Sequence, residues 1–97
     1  MKIVYSPRAV SDLGAIADYL TERSLQGALA VERPIREVMG RLAEFPGMGR
    51  ELTQRPGVRV MPLGRYPYLI FYTVLENELF VLHVRHASRR PLEHDEA

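Results

Sequence analysis

The sequence predicts an α+β domain in the order β-α-α-β-β-β, a two-helix hairpin packed on a twisted antiparallel sheet. Three observations carry that reading. Apolar residues recur at helical spacing through two consecutive segments of the first half. The second half holds three β-rich runs, the last two alternating around a short polar turn. A brief β-rich segment, Ile3-Val4-Tyr5, precedes the first helix. A chain of 97 residues makes one domain, expected over 1–91, with a polar tail at 92–97.

Ser6-Pro7 ends the first strand and starts a helix, serine as cap and proline at the first helical position. Val10, Leu13, Ala17 and Leu20, widened by Ile16, form its apolar stripe from about 7 to 22, while Asp12, Asp18 and Glu22 take other faces. Ser24 caps a second helix whose stripe is Ala28, Val31, Ile35, Val38, Leu42 and Phe45. Pro34 lies inside it, and an interior proline costs about 3 kcal/mol in a regular helix. The apolar register continues through it, so the helix is expected to run on with a kink, a break into two helices being the alternative. Phe45-Pro46-Gly47 closes the element.

The sheet follows. Val58-Arg59-Val60-Met61 is the second strand, and Pro62, Gly64 and Pro67 punctuate the turn after it. From Tyr66 to Leu75, strict alternation puts Tyr68, Ile70, Tyr72 and Val74 on one face and Leu69, Phe71 and Thr73 on the other. From Leu79 to His86 it puts Phe80, Leu82 and Val84 on one face and Leu79, Val81, His83 and Arg85 on the other. The short turn Glu76-Asn77-Glu78 makes the last two strands an antiparallel hairpin.

Composition narrows the function classes. With 46% apolar and 26% charged residues the chain reads as an ordinary soluble protein. No apolar run approaches the roughly 18–20 residues of a membrane span, and the N-terminus has no signal-peptide pattern, so the cytoplasm is expected. Cysteine is absent, which removes disulfides, thiolate metal sites and cysteine nucleophiles. No His and carboxylate spacing suits a metal, and no cofactor or small-molecule substrate is expected. Charge is uneven. Residues 1–45 carry six basic and six acidic side chains, whereas 46–91 carry seven arginines (50, 55, 59, 65, 85, 89, 90) against three glutamates. Arginine suits phosphates and carboxylates, so these seven are expected to line one surface for a macromolecule.

Several phrases resemble the ParE/RelE superfamily of toxins. They are Tyr5-Ser6-Pro7-Arg8-Ala9 with Asp12-Leu13, then Leu42-x-x-Phe45-Pro46-x-x-Gly49-Arg50, Arg59, Tyr66-Pro67-Tyr68-Leu69-Ile70-Phe71-Tyr72, and Val84-x-His86-x-x-Arg89-Arg90-Pro91. The resemblance covers roughly residues 3–91. It implies a toxin of a type II toxin–antitoxin system, wrapped by a cognate antitoxin, and it leaves two activities open. ParE-like members bind and poison DNA gyrase. Arg59, Arg65, Arg85, His86, Arg89 and Arg90 would then be contacts to the target. RelE-like members cut messenger RNA on the ribosome, which needs a base, an acid and positive charge at the phosphate. Glu51, Arg65 and His86 would fill those roles. The aromatic that follows in many nuclease members is replaced by Ala87-Ser88, and Lys2 is the only lysine, which favours the ParE-like branch. A third reading is an inactive member that acts only in an antitoxin complex.

Each residue also has a plainer reading. His86 is a hydrogen-bonded strand end, Glu51 a solvated loop charge, Arg59 a partner of a helix carboxylate, and the tyrosines of 66–72 packing residues. Leu69, Phe71, Leu79, Val81 and His83 are expected on the sheet face opposite the helices, an apolar surface for the antitoxin.

Overall fold

The computed structural model describes residues 1–87. Its order is β1 (Lys2–Tyr5), α1 (Pro7–Arg23), α2 (Leu25–Glu44), β2 (Arg50–Glu51), β3 (Val58–Leu63), β4 (Tyr66–Leu75) and β5 (Glu78–His86), with a 3-10 turn at Pro46–Met48. The helices form a hairpin across one face of a five-stranded sheet ordered β1-β5-β4-β3-β2. The expected architecture is present with two additions. The sheet is mixed, because β1 pairs parallel to β5 while all other neighbours are antiparallel. A two-residue edge strand, β2, is too short to leave an alternation in the sequence.

The caps follow the sequence. The Ser6 hydroxyl accepts from the Ala9 amide at 3.0 Å and donates to the Leu82 carbonyl at 2.7 Å, so one residue starts α1 and ties it to β5. Ser24 alone links the helices. Its amide donates to the Leu20 carbonyl at 2.7 Å, and its hydroxyl accepts from the Gly27 amide at 3.1 Å. α2 continues unbroken through Pro34.

β1 ends its pairing at Tyr5↔Val81, and the start of α1 takes over that edge of β5. The Ser6 amide donates to the Val81 carbonyl at 3.0 Å, and the Val84 amide donates to the Asp12 carboxylate at 3.0 Å. Asp12, placed by the sequence off the apolar stripe of α1, is therefore half-buried and supplies a missing ladder bond.

The core joins Val31, Val38, Met39 and Leu42 of α2 to Ala9 of α1 and to Leu63, Tyr68, Ile70, Tyr72, Leu79, Val81 and Val84 of the sheet. The α1 stripe is turned from the expected one: Ala9, Leu13, Ile16 and Leu20 face inward, while Val10 and Ala17 are exposed. Phe45 is exposed beyond the end of the α2 stripe.

β5 departs from strict alternation. Ile70↔Val84 and Phe71↔His83 are followed by Tyr72↔Val81, so Leu82 is an extra residue opposite the Phe71–Tyr72 step. A bulge moves every later side chain to the other face. Val84 and His86 therefore share the helix face with Leu79 and Val81. The expectation that Leu79 and Val81 lie on the outer face is corrected: both are fully buried beneath the helices, and neither is available to a partner. Across Thr73 and Val4, Phe80 takes the outer face instead.

Candidate functional site

The two ends of the β3–β4–β5 ribbon differ in chemistry. At the end near β2, polar side chains are used to hold backbone. The buried Tyr72 hydroxyl donates to the Pro46 carbonyl at 2.6 Å and accepts from the Gly49 amide at 2.9 Å. Burial raises the Tyr72 pKa above its ordinary 10.0, against smaller lowering effects from the Gly49 amide and the Arg59 charge. Arg59, whose cross-strand partner is Tyr72, donates to the Gly49 carbonyl at 2.6 Å and the Gly47 carbonyl at 3.4 Å. Glu51 accepts from the Gly57 amide at 3.2 Å, and the Thr73 hydroxyl donates to the Gly57 carbonyl at 2.6 Å. Gly57 has a φ of +87°, a conformation that suits glycine. Arg59 and Glu51, both proposed site residues, thus bind the 46–57 loops.

The opposite end presents its groups. The tight turn Gly64-Arg65 joins β3 to β4, with Gly64 at a φ of +60°. Arg65 is exposed, its guanidinium 5.6 Å from the Tyr66 ring. His86 pairs across the ladder with Tyr68 and meets its ring edge-on at 5.5 Å. The Ala87 amide donates to the Pro67 carbonyl at 2.7 Å, which fixes the exit of β5 beside that turn. Arg65 and His86 therefore belong to one end of the sheet. Arg85 is next to His86 in sequence but on the outer face, its guanidinium 5.3 Å from the Phe71 ring.

Glu51 does not join them. It is level with Arg59 and Tyr72, three strands away from β5 and four residues along β4 from the Tyr68–His86 pair. At roughly 4.8 Å per strand and 3.3 Å per residue, the two backbones are roughly 20 Å apart. A base on Glu51 and an acid on His86 cannot reach one phosphate, so the structure does not assemble the set Glu51, Arg65 and His86.

Clustering of arginines in sequence is likewise not clustering in space. Arg50 is paired with the outer-face Val60 at the β2 edge, Arg59 faces the helix side, Arg65 is at the far turn and Arg85 on the outer face. The single arginine-lined surface is corrected for these residues. Arg89 and Arg90 lie outside the described residues, as does the boundary between domain and tail.

The outer face differs from the expected open apolar patch. Phe71 and His83 are 7% and 5% exposed and stack ring on ring, 4.2 Å between centroids and 6° between planes. Leu69 is half-buried. Among the described residues the most exposed large aliphatic side chains are on the helical hairpin instead, Leu25 and Leu29 at 63% each. The sequence reading missed these, and it missed Tyr72, Gly49 and Asp12 as anchors. The Phe45-Pro46-x-x-Gly49-Arg50 phrase was the one available signal for the loop anchor.

Among the described residues, no group of three or more His, Cys, Asp or Glu is placed to hold a metal, and no helix is long and apolar enough to cross a membrane. A helical hairpin on this sheet defines a RelE/ParE-like toxin architecture. The family model for the ParE toxin of the type II toxin–antitoxin system parDE matches residues 3–91. Toxin RelE2 of Caulobacter vibrioides is 33% identical over 89 residues, covering 91% of this chain and 97% of the relative. Among solved structures, the chromosomal ParDE TA system from P. aeruginosa superposes with a TM-score of 0.76 at 28% identity, over 91% of this chain and 97% of the other. The isolated E. coli RelE toxin gives 0.66 at 21% identity over 92% and 86%, a likeness of fold alone. The chain belongs to the ParE toxin family of type II toxin–antitoxin systems.

Proposed function

We propose that this toxin acts in the cytoplasm by binding and inhibiting DNA gyrase, without covalent chemistry of its own, and that a cognate antitoxin neutralises it. The observation that supports the reading is the separation of Glu51 from His86: these two candidates for base and acid lie at different ends of the sheet, and Glu51 is already bonded to the Gly57 amide. The ParE family model and the ParDE structural neighbour support the same branch. Arg65, Arg85 and His86 are the target contacts this reading favours among the described residues, with Arg89 and Arg90 carried as sequence-based members of the set.

The ribosome-dependent endoribonuclease remains the second reading. It is favoured by the relative named Toxin RelE2 and by the shared position of Arg65 and His86. One experiment separates the two. Purified toxin is added to a gyrase supercoiling reaction and, in parallel, to translating ribosomes carrying a defined message. Loss of supercoiling with trapped DNA breaks, and an intact message, is the expected result. Cleaved message with unaffected supercoiling would transfer the assignment to the nuclease. No effect in either reaction would leave the inactive member that works only in an antitoxin complex.

A further inference from the structure

β5 changes its neighbour at Val81. Up to that residue the edge away from β4 is paired with β1. Beyond it α1 takes the place of a strand, and its bonds match the bulge. In a regular strand successive carbonyls point to opposite edges. Val81 and Leu82 are consecutive, yet both offer their carbonyls to Ser6. The Ser6 amide donates to Val81 at 3.0 Å and the Ser6 hydroxyl to Leu82 at 2.7 Å. One serine with two donors therefore fits a bulged strand and would not fit a regular one. Two residues on, the Val84 amide donates to the Asp12 carboxylate at 3.0 Å. We propose that Ser6 and Asp12 are positioning residues, a clamp on the β5 bulge that fixes where Arg85 and His86 stand for the target. The proposal rests on the reading of those two as target contacts.

What the clamp holds is the phase of the strand. Tyr72 pairs with Val81. Continued without an extra residue, the same ladder would bring Ile70 to His83 and Tyr68 to Arg85. His83 and Arg85 would then point beneath the helices, and Val84 and His86 would turn outward. With Leu82 as the extra residue, Ile70 meets Val84 and Tyr68 meets His86, while Arg85 takes the outer face beside Phe71. Burial of Val84 favours this phase but acts at one side chain. Hydrogen bonds along the edge act on the backbone itself, and a strand edge without partners opens readily. Ser6 and Asp12 supply those bonds on either side of the bulge. Ala9, fully buried between them, is small enough to let the first turns of α1 lie against β5.

The acceptor oxygen of Asp12 matters here more than its charge. Arg8 comes no nearer than 3.9 Å, and its side chain is 48% exposed. An ion pair of that kind contributes little. The Val84 amide, by contrast, has no strand to turn to on that edge and needs an acceptor. Asparagine presents an oxygen at the same reach, whereas alanine presents none. That pair of substitutions separates a positioning role from an electrostatic one.

The test compares wild type, Asp12→Ala, Asp12→Asn and Ser6→Asp in the full chain. Ser24→Ala, which removes the α2 cap at the other end of α1, is the control for lost stability. Each protein is read by hydrogen exchange at the Val84 amide, by the nuclear Overhauser contact between the Tyr68 and His86 rings, and by half-inhibition of gyrase at a temperature where melting shows it folded. Asp12→Ala is expected to speed Val84 exchange about tenfold or more, weaken the ring contact, and raise the half-inhibition concentration about tenfold. Asp12→Asn should stay within about twofold of wild type throughout. Ser6→Asp keeps an acceptor for the Ala9 amide but has no donor for the Leu82 carbonyl, and should weaken inhibition about fivefold. It carries the test if Asp12→Ala does not fold. Ser24→Ala should inhibit within about twofold of wild type. If wild type leaves gyrase unaffected, the proposed function fails, and the clamp is still judged by exchange and the ring contact, which need no target. If folded Asp12→Ala matches wild type to within about twofold in exchange and inhibition, the clamp is overturned. It is equally overturned if Asp12→Asn or Ser24→Ala loses as much inhibition as Asp12→Ala, since charge or stability would then be the cause.

Discussion

Two tyrosines six residues apart on β4 mark two kinds of surface. Tyr72, fully buried, uses its hydroxyl to fasten the 46–49 loop, with Arg59 alongside on the same loop's carbonyls. Tyr66, half-buried at the other end, supports an exposed arginine over a cleft. Both ends carry an aromatic and a guanidinium from the same hairpin. The difference lies in whether backbone has already filled the donors. A hydrogen bond to a charged group is worth about 1.5–3 kcal/mol net, so an arginine whose donors are satisfied by carbonyls acts mainly in stability, while one facing solvent is available for recognition.

The comparison breaks most sharply at Gly49. A Cβ there would lie 2.6 Å from the Tyr72 hydroxyl and 2.8 Å from its Cε1, and Tyr72 is held in the core with no room to withdraw. Gly49→Ala is expected to cost about 2–3 kcal/mol, a fall in melting temperature on the order of 10 °C or more for a domain of this size. A fall under about 2 °C would mean that the loop shifts freely and that this end is no more fastened than the other.

Removing the hydroxyl itself is the next smaller change. Tyr72→Phe leaves the ring and is expected to cost about 1–3 kcal/mol, since the Gly49 amide loses its acceptor in a buried position. It also carries a pH signature. The folded-state pKa of Tyr72 is raised from 10.0 chiefly by burial, so the folded state holds its proton more tightly than the unfolded chain. That contribution is fully present below pH 10 and is lost as pH rises through the folded value. Denaturant titrations at pH 8 and at successive steps above 10 should show wild type losing stability on the alkaline side. Tyr5, also raised by burial, contributes a share that persists in the variant. Tyr72→Phe should therefore show a shallower decline. An identical slope in both proteins would remove Tyr72 from the account.

How far this division could be read from sequence depends on the scale of the signal. The helices, their serine caps and the β4–β5 hairpin were legible, because periodicity and capping are local. Even the turn was: Glu76 and Asn77 both take the left-handed conformation that a tight hairpin needs. The bulge at Leu82 was not legible. Nothing in Glu-Leu-Phe-Val-Leu-His-Val announces an extra residue, yet that residue decides which half of β5 is core, and it moved Leu79 and Val81 from the expected partner surface to beneath the helices. The position of Asp12 was hidden for a similar reason. Its role depends on where β1 stops pairing with β5, seventy residues later in the chain. The candidate site fared worst, because sequence lists arginines and glutamates without saying which face, end or carbonyl each one meets.

The smallest expected change in stability gives the sharpest test of function. Arg59→Ala removes donors to the Gly47 and Gly49 carbonyls at a partly buried position and should cost about 1–2 kcal/mol. Arg65→Ala removes an exposed side chain that makes no hydrogen bond to the loop and should change stability by less than about 0.5 kcal/mol. If the two ends divide as argued, the ranking reverses for the target. At a temperature where both variants are fully folded, Arg65→Ala should raise the concentration needed for half-inhibition of gyrase about tenfold, the usual scale for one well-placed charged contact. Arg59→Ala should follow only its lost stability and recover as the assay is cooled. Should Arg59→Ala weaken inhibition as much as Arg65→Ala at every temperature, the fastened end would also be a recognition surface, with its loop carbonyls and guanidinium presented together to the target.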